Sequence, residues 1–145
     1  MRLIQFYREF SRLGEYLNSI ALLLARLVVA FGFFEPAMMK WSDINSVAIW
    51  FGSMGIPLPL LNAYMAASTE AVGVVLLTFG LMTRFIAIPL VVVMLVAIFS
   101  VHLGNGFSAA NNGFEIPLYY LIFLLMFIAQ GAGRFSLDRL FFEKQ

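Results

Sequence analysis

Six ionisable side chains lie inside or at the ends of long apolar stretches of this sequence, where a charge is costly. They are Arg26, Glu35, Lys40, Glu70, His102 and Glu115. A charge near the centre of a membrane-spanning helix costs about 2.5 kcal/mol or more, so such groups usually face inward and pair with each other or with water. Cations can stabilise a developing anion, an imidazole exchanges protons near neutral pH, and desolvated carboxylates can relay them.

The composition indicates a membrane protein. Of the 145 residues, 62% are hydrophobic and 12% charged, and the mean hydropathy is +0.93, whereas about a quarter of a soluble domain is charged. The chain has no cysteine and one histidine, which excludes disulfides, iron–sulfur clusters, thiol relays and a haem held by two of its own histidines. We predict no metal site, and a net charge of +1 gives no sign of nucleic-acid binding.

Four apolar stretches approach the length of about 20 residues that crosses a bilayer. They cover approximately residues 20–39, 60–82, 85–103 and 115–129. Thr83 and Arg84 form a tight polar break, and Pro117 falls in the first turn of the last stretch, where its missing N–H does no harm. The sequence therefore predicts an all-α integral membrane protein with a four-transmembrane-helix bundle.

The distribution of basic residues predicts the orientation of this bundle. One side carries Arg2, Arg8, Arg12, Arg84, Arg134, Arg139 and Lys144. The other side carries Lys40 alone. Because cytoplasmic loops are enriched in Lys and Arg, both termini and the loop around Arg84 are predicted to be cytoplasmic.

Two further segments are predicted to be interfacial helices. Residues 1–19 place Leu3, Phe6, Phe10, Leu13 and Leu17 at three- and four-residue steps, which predicts an amphipathic cytoplasmic helix ahead of a membrane domain at 20–145. On the outer side, SDINSVAIWFGSMGIPLP begins with capping residues and reaches a glycine terminator, which predicts a short helix. GNGFSAANNG is predicted to be a short polar lid.

Depth along the helices predicts which charged groups meet. Measured from the predicted cytoplasmic ends, Arg26 lies roughly 9 Å, Glu70 roughly 18 Å and Glu35 roughly 22 Å along its helix. The long Arg26 side chain is therefore expected to reach toward Glu70. Pro36 leaves the carbonyl of Gly32 without its helical donor, and such a carbonyl is tolerated only beside protein or a wet cavity. We predict an inward-facing polar pocket that opens toward the outside.

Each of these residues also has a structural interpretation. Arg26 and Glu70 can form an ion pair that fixes helix register, and Lys40 can be an end anchor whose ammonium reaches the membrane surface. His102 can be an interfacial residue satisfied by water or a carbonyl, and Glu115 can favour the positive end of a helix dipole. The coincidence of several such groups in one layer favours a functional role.

The chain resembles the DoxX family of small four-span membrane proteins over about residues 20 to 140. The resemblance is carried by LLLARLVVAFGFF, Lys40, GIPLP, STEAVGVVLLTFGLMTR, VHLGNGF, NNGFE and GAGRFSLDRL. It implies that Arg26, Lys40, Glu70, His102 and Glu115 are the family's recurring polar residues. The chain departs from the family at Glu35-Pro36, where relatives commonly carry a histidine- or alanine-glycine pair.

The resemblance implies a quinone-interacting oxidoreductase subunit of the bacterial inner membrane. The predicted catalytic residues are His102, Glu70 and Glu115, and the predicted quinone-binding residues are Arg26, Glu35, Lys40 and Asn105. Electrons would come from a redox partner or a bound organic substrate. The alternative is a non-catalytic bundle, monomeric or homodimeric, that binds or transports a lipid, a small anion or a partner protein's span. In a third interpretation the polar residues have a structural role alone.

Overall fold

The computed structural model describes residues 2–143, which form helices joined by turns and short loops. The α-helices are α1 (Arg2–Ser42), α2 (Ile44–Ser53), α3 (Pro59–Phe79), α4 (Thr83–Ala97), α5 (Glu115–Gln130) and α6 (Leu137–Phe142). A π-helical turn at Ile98–His102 extends α4, and short 3₁₀ turns follow at Leu103–Asn105 and Ala109–Asn111. The predicted all-α class is confirmed.

Three of the helical segments have the length and composition needed to cross a bilayer. They are α1, α3 and the continuous segment Thr83–Asn105. The 16 residues of α5 are apolar, but they extend only about 24 Å, which is less than the hydrocarbon thickness of about 30 Å. The membrane bundle is therefore confirmed, whereas a count of four crossings stays a prediction.

The first 17 described residues are helical but do not form a helix of their own. They belong to the 41-residue helix α1, which continues without a break across the predicted boundary between residues 19 and 20. Residues 2–18 are all exposed, and Ser19 is the first buried residue. The packed part of α1 thus begins where the first span was predicted to begin. The location of residues 2–18 at a membrane surface stays a prediction.

The bundle has two unlike ends. One end, called the α2 end here, carries α2 and residues 103–114; the other, called the α6 end, carries the α3–α4 turn and residues 131–143. Because α1, α3, α4 and α5 alternate in direction, each helix joins these two ends. Between these ends Phe33, Leu77, Leu90 and Leu124 are fully buried in the core, and their close packing supplies the van der Waals contacts that hold helices together in a bilayer.

A buried arginine closes the α6 end. The side chain of Arg26 on α1 is 0% exposed. Its Nη1 donates to the carbonyl of Leu77 at 3.0 Å, and its Nη2 donates to the carbonyl of Phe135. Carbonyls in the last turn of a helix have no partner within the helix, so Arg26 satisfies one on α3 while also binding the C-terminal segment.

Asp138 adds a second connection at this end. Its carboxylate accepts hydrogen bonds from the backbone N–H groups of Met82 and Thr83, the latter at 3.0 Å. These N–H groups begin α4, where donors lack helical partners. The backbone N–H of Asp138 donates in turn to the carbonyl of Gly80 at 2.9 Å. The C-terminal segment therefore caps α4 and fixes the α3–α4 turn.

Replacing Gly80 with alanine is expected to destabilise the protein. Gly80 has a φ of +65°, and a Cβ there would overlap the guanidinium of Arg26. An L-residue in left-handed conformation costs about 1–2 kcal/mol, so Gly80→Ala is expected to lose at least about that much unfolding free energy in detergent. Gly104→Ala is the matched control, because a Cβ there meets no atom within 4 Å. Equal unfolding midpoints for the two variants would contradict this account of the α6 end.

Candidate functional site

A cavity of about 670 Å³ lies at the α2 end of the bundle. Its walls come from α1, α2, α3, α4 and α5, together with the loop before α5. Most wall residues are apolar, including Phe33, Phe51 and Met94, while Lys40, Glu70 and His102 supply charged or titratable groups. Small-molecule sites typically have volumes of about 300–1,000 Å³, apolar walls and a few polar groups. The cavity has these properties.

An ion pair between α1 and α3 forms the polar part of this wall. Lys40 Nζ donates to Glu70 Oε2 at 2.8 Å and to Oε1 at 3.1 Å. The side chain of Glu70 is 3% exposed and that of Lys40 is 17% exposed. Beside the pair, the indole N–H of Trp41 donates to the carbonyl of Ala67 at 3.2 Å. These contacts fix the register of α1 against α3 and leave the pair without net charge.

His102 enters the cavity wall from the last residue of the π-helical turn. In this turn the N–H of Leu103 bonds to the carbonyl of Ile98, one residue further back than in an α-helix. The His102 Nδ1 lies 2.9 Å from the carbonyl oxygen of Asn112. A carbonyl can only accept, so Nδ1 carries the hydrogen, and Nε2 of the neutral ring has a free lone pair. His102 can therefore take up a proton at Nε2.

Glu115 and Asn105 organise the loop that borders the cavity and do not line the cavity itself. The Glu115 carboxylate accepts from the backbone N–H of Ala109 at 2.8 Å and from the Tyr119 hydroxyl at 2.9 Å. Asn105 Nδ2 donates at 3.1 Å to the same Asn112 carbonyl that His102 binds. Both residues therefore hold residues 106–114 in place.

The expected contact between Arg26 and Glu70 is not formed. Trp41 lies beside Ala67, so Glu70 lies near the level of residue 38 on the antiparallel helix α1. Arg26 is about 18 Å below that level, and its guanidinium binds backbone carbonyls at the α6 end. The prediction was wrong because it measured both depths from predicted span ends, and the two helices do not begin at the same level.

Glu35 points away from the cavity. It is exposed on the outward face of α1, near Phe31 and Met38, whose exposed fractions are 82% and 56%. Lys40 and Phe33 are seven residues apart and both line the cavity, whereas Glu35 is two residues after Phe33 and so about 200° around the helix. The expectation that Glu35 faces inward was wrong.

Tyr120 is a cavity residue that sequence reasoning missed. Gly32 and Pro36 both line the cavity, and the Tyr120 ring lies so close to Gly32 that a Cβ there would overlap its hydroxyl. The ring also packs against Phe33, with centroids 5.7 Å apart. A tyrosine inside an apolar span was the available signal, because a buried phenol usually needs a polar surrounding.

Comparison with known proteins places the chain in a family. The sequence model described as DoxX matches residues 21–103, a range that contains Arg26, Lys40, Glu70 and His102. The chain belongs to the DoxX family. The predicted resemblance is therefore confirmed.

Three relatives extend beyond the region matched by the DoxX model. One protein of Haemophilus influenzae is 36% identical over 131 residues, covering 85% of this chain and 84% of the relative. A second protein of that organism is 37% identical over 123 residues, covering 82% of this chain and 89% of the relative. A Bacillus subtilis protein named "Putative oxidoreductase CatD" is 32% identical over 125 residues, covering 86% of this chain and 89% of the relative. No solved structure matches the chain.

Removing the charge of Glu70 is expected to destabilise the protein, whereas removing that of Glu35 is expected to have little effect on stability. Glu70→Gln leaves the Lys40 ammonium without its carboxylate partner, and loss of one member of a buried pair costs about 3 kcal/mol or more. Because Lys40 keeps some exposure, we expect a loss of about 2 kcal/mol in unfolding free energy in detergent. Glu35→Gln is expected to change it by less than about 0.5 kcal/mol.

The double variant Lys40→Met with Glu70→Gln tests whether the loss of stability in Glu70→Gln comes from the broken ion pair or from altered side-chain packing. Once the ammonium is absent, the amide no longer leaves a charge unpaired, so the double variant is expected to recover most of the lost stability. If it is as unstable as Glu70→Gln, the ion pair is not the cause.

Proposed function

We propose that this DoxX protein is a quinone-binding subunit of an oxidoreductase in the bacterial inner membrane, and that the quinone ring occupies the cavity at the α2 end. The observation that carries the proposal is the ion pair of Lys40 and Glu70 in the wall of an otherwise apolar cavity. A neutral ring with carbonyl oxygens requires an apolar slot and a few hydrogen-bond donors. The cavity supplies both.

The charge state of the cavity favours a neutral ligand over a small anion. Two of the three donors on the Lys40 ammonium are directed at the Glu70 oxygens, which leaves one donor for a ligand. Because the pair carries no net charge, it attracts a free anion weakly. A carbonyl oxygen can accept the remaining hydrogen bond without an uncompensated charge, and so a quinone fits this wall better than a phosphate or an organic acid.

Two residues of the cavity wall can exchange protons with such a ligand. Reduction of a quinone to a quinol takes up two electrons and two protons, and oxidation releases them. Nε2 of His102 has a free lone pair, and the Glu70 carboxylate is the second acceptor on the cavity wall. Since the chain has no cysteine, the electrons come from a partner subunit or an organic reductant and not from a thiol of this chain.

The distribution of charge supports an orientation with the α2 end outside. Arg84, Arg134 and Arg139 are exposed at the α6 end, and Arg2, Arg8 and Arg12 lie on the exposed first half of α1. Lys144, the remaining cation of the predicted cytoplasmic set, lies outside the described residues. By the positive-inside rule the α6 end faces the cytoplasm and the cavity lies in the outer half of the membrane. The name of the CatD relative supports the oxidoreductase class.

Quenching of Trp50 fluorescence tests this function. The chain has two tryptophans, and Trp50 lines the cavity, so Trp41→Phe leaves one reporter at the site. In this background decylubiquinone is expected to quench saturably. Adding Lys40→Met with Glu70→Leu is expected to weaken binding about tenfold, because a hydrogen bond to a charged group contributes about 1.5 kcal/mol.

Glu35→Gln is the matched control, because it removes a carboxylate of the same helix bundle that does not line the cavity. It is expected to leave the affinity for decylubiquinone unchanged. Linear, non-saturating quenching would contradict the proposed function. Displacement of the probe by phosphatidylglycerol at equal concentration would instead assign the cavity to a lipid.

A further inference from the structure

One side of the cavity is bordered by residues that are also exposed on the surface of the bundle. On α4, Val92 and Val96 line the cavity and have exposed fractions of 56% and 43%, and Ser100, one turn further, is also exposed. On α3, Met65 lines the cavity and is 57% exposed. A side chain can line the cavity and also be exposed on the surface of the bundle only where the wall is open. We call this opening between α3 and α4 the lateral slot.

The sequence contributes to the different packing of α3 and α4 along their length. Toward the α6 end the two helices pack tightly, since a Cβ on Gly73 would come within 2.9 Å of Leu90. Pro89 lies next to Leu90 and lines the cavity, and a proline inside a helix removes a hydrogen bond and bends it. The cavity borders residues 62–70 of α3 and residues from 89 onward of α4. The helices therefore pack against each other at Gly73 and Leu90, and toward the α2 end both border the cavity.

The wall between α1 and α3 is closed by specific contacts. Between these helices stand the ion pair of Lys40 with Glu70 and the bond from Trp41 to Ala67. A second, more polar opening lies toward α2 and the loop before α5, because the residues that line the cavity there are also exposed. They are Trp50, Ile116, Ala109 and Asn112.

We infer that the ligand reaches the cavity from the bilayer through the lateral slot, and that it carries a hydrocarbon tail that lies between Met65 and Val96. The inference rests on the proposed function and adds the class of quinone and its route. Both helices that border the slot are long and apolar enough to cross a membrane, so the slot faces lipid. Its edges are apolar, which suits a tail and disfavours a soluble, tail-less ligand.

Single-cysteine labelling tests the route, because the natural chain has no thiol. Val96→Cys places a thiol on the slot. Leu95→Cys is the matched control, an adjacent residue of α4 that is 37% exposed and does not line the cavity. Ala109→Cys places a thiol on the loop side of the cavity. Each variant is labelled with benzyl methanethiosulfonate in the Trp41→Phe background, returned to nanodiscs and titrated with decylubiquinone.

Labelling of Val96→Cys is expected to weaken decylubiquinone binding at least tenfold, and removal of the label with dithiothreitol is expected to restore it. Labelled Leu95→Cys is expected to bind like the unlabelled protein, and labelling of Ala109→Cys is expected to weaken binding less than labelling of Val96→Cys. The tail-less parent benzoquinone is expected to bind unlabelled protein at least tenfold more weakly than decylubiquinone. If labelling of Ala109→Cys weakens decylubiquinone binding as much as labelling of Val96→Cys or more, entry through the lateral slot is overturned. If the two quinones bind with equal affinity, the claim that the ligand carries a hydrocarbon tail is overturned.

The two proposals fail in different ways. If unlabelled protein shows no saturable quenching, the proposed function fails and the quinone class fails with it. If quenching is saturable and labelling at Val96→Cys changes nothing, only the lateral slot fails. A spin label on Val96→Cys gives a readout independent of any quinone: greater collision with oxygen than with a water-soluble nickel chelate supports a slot open to lipid, and the reverse contradicts it.

Discussion

The structure depends on the way Arg26 satisfies the backbone at the α6 end. A buried guanidinium without partners would be prohibitively costly, and here it binds carbonyls of Leu77 and Phe135 from two different parts of the chain. Gly80 provides the space, because any Cβ at that position would overlap the guanidinium. The α6 end of the bundle is therefore closed by hydrogen bonds from a side chain to backbone carbonyls, whereas the cavity lies at the α2 end.

Glu70 and Glu35 illustrate the difference between a paired and an unpaired carboxylate. Glu70 is held by Lys40 in two hydrogen bonds and is almost fully buried. A buried ion pair of this kind adds little stability compared with apolar residues of similar size, so stability alone does not account for its place in the cavity wall. Glu35 lies on the outward face of the same helix as Lys40 and does not line the cavity. The feature that marks the cavity is therefore the ion pair, and a carboxylate alone does not mark it.

Much of the fold could be predicted from the lengths of the apolar stretches and from the turn residues between them. Less of the site could be predicted. The bounds of α3, α5 and the segment from Thr83 to Asn105 lie within a few residues of the predicted stretches. The partner of Glu70 was not predictable from depth, because depth depends on where each helix begins relative to its neighbour. The outward position of Glu35 was predictable from helical periodicity. The π-helical turn that places His102 has no distinctive sequence pattern in IFSVH.

The geometry of His102 separates proton exchange from movement of the loop it holds. Its Nδ1–H donates to the Asn112 carbonyl, which Asn105 also binds. In the imidazolium form both ring nitrogens donate, so a proton arriving at Nε2 leaves the Nδ1–H donor to Asn112 in place. Proton exchange at Nε2 therefore does not require the bond that holds residues 106–114 to break.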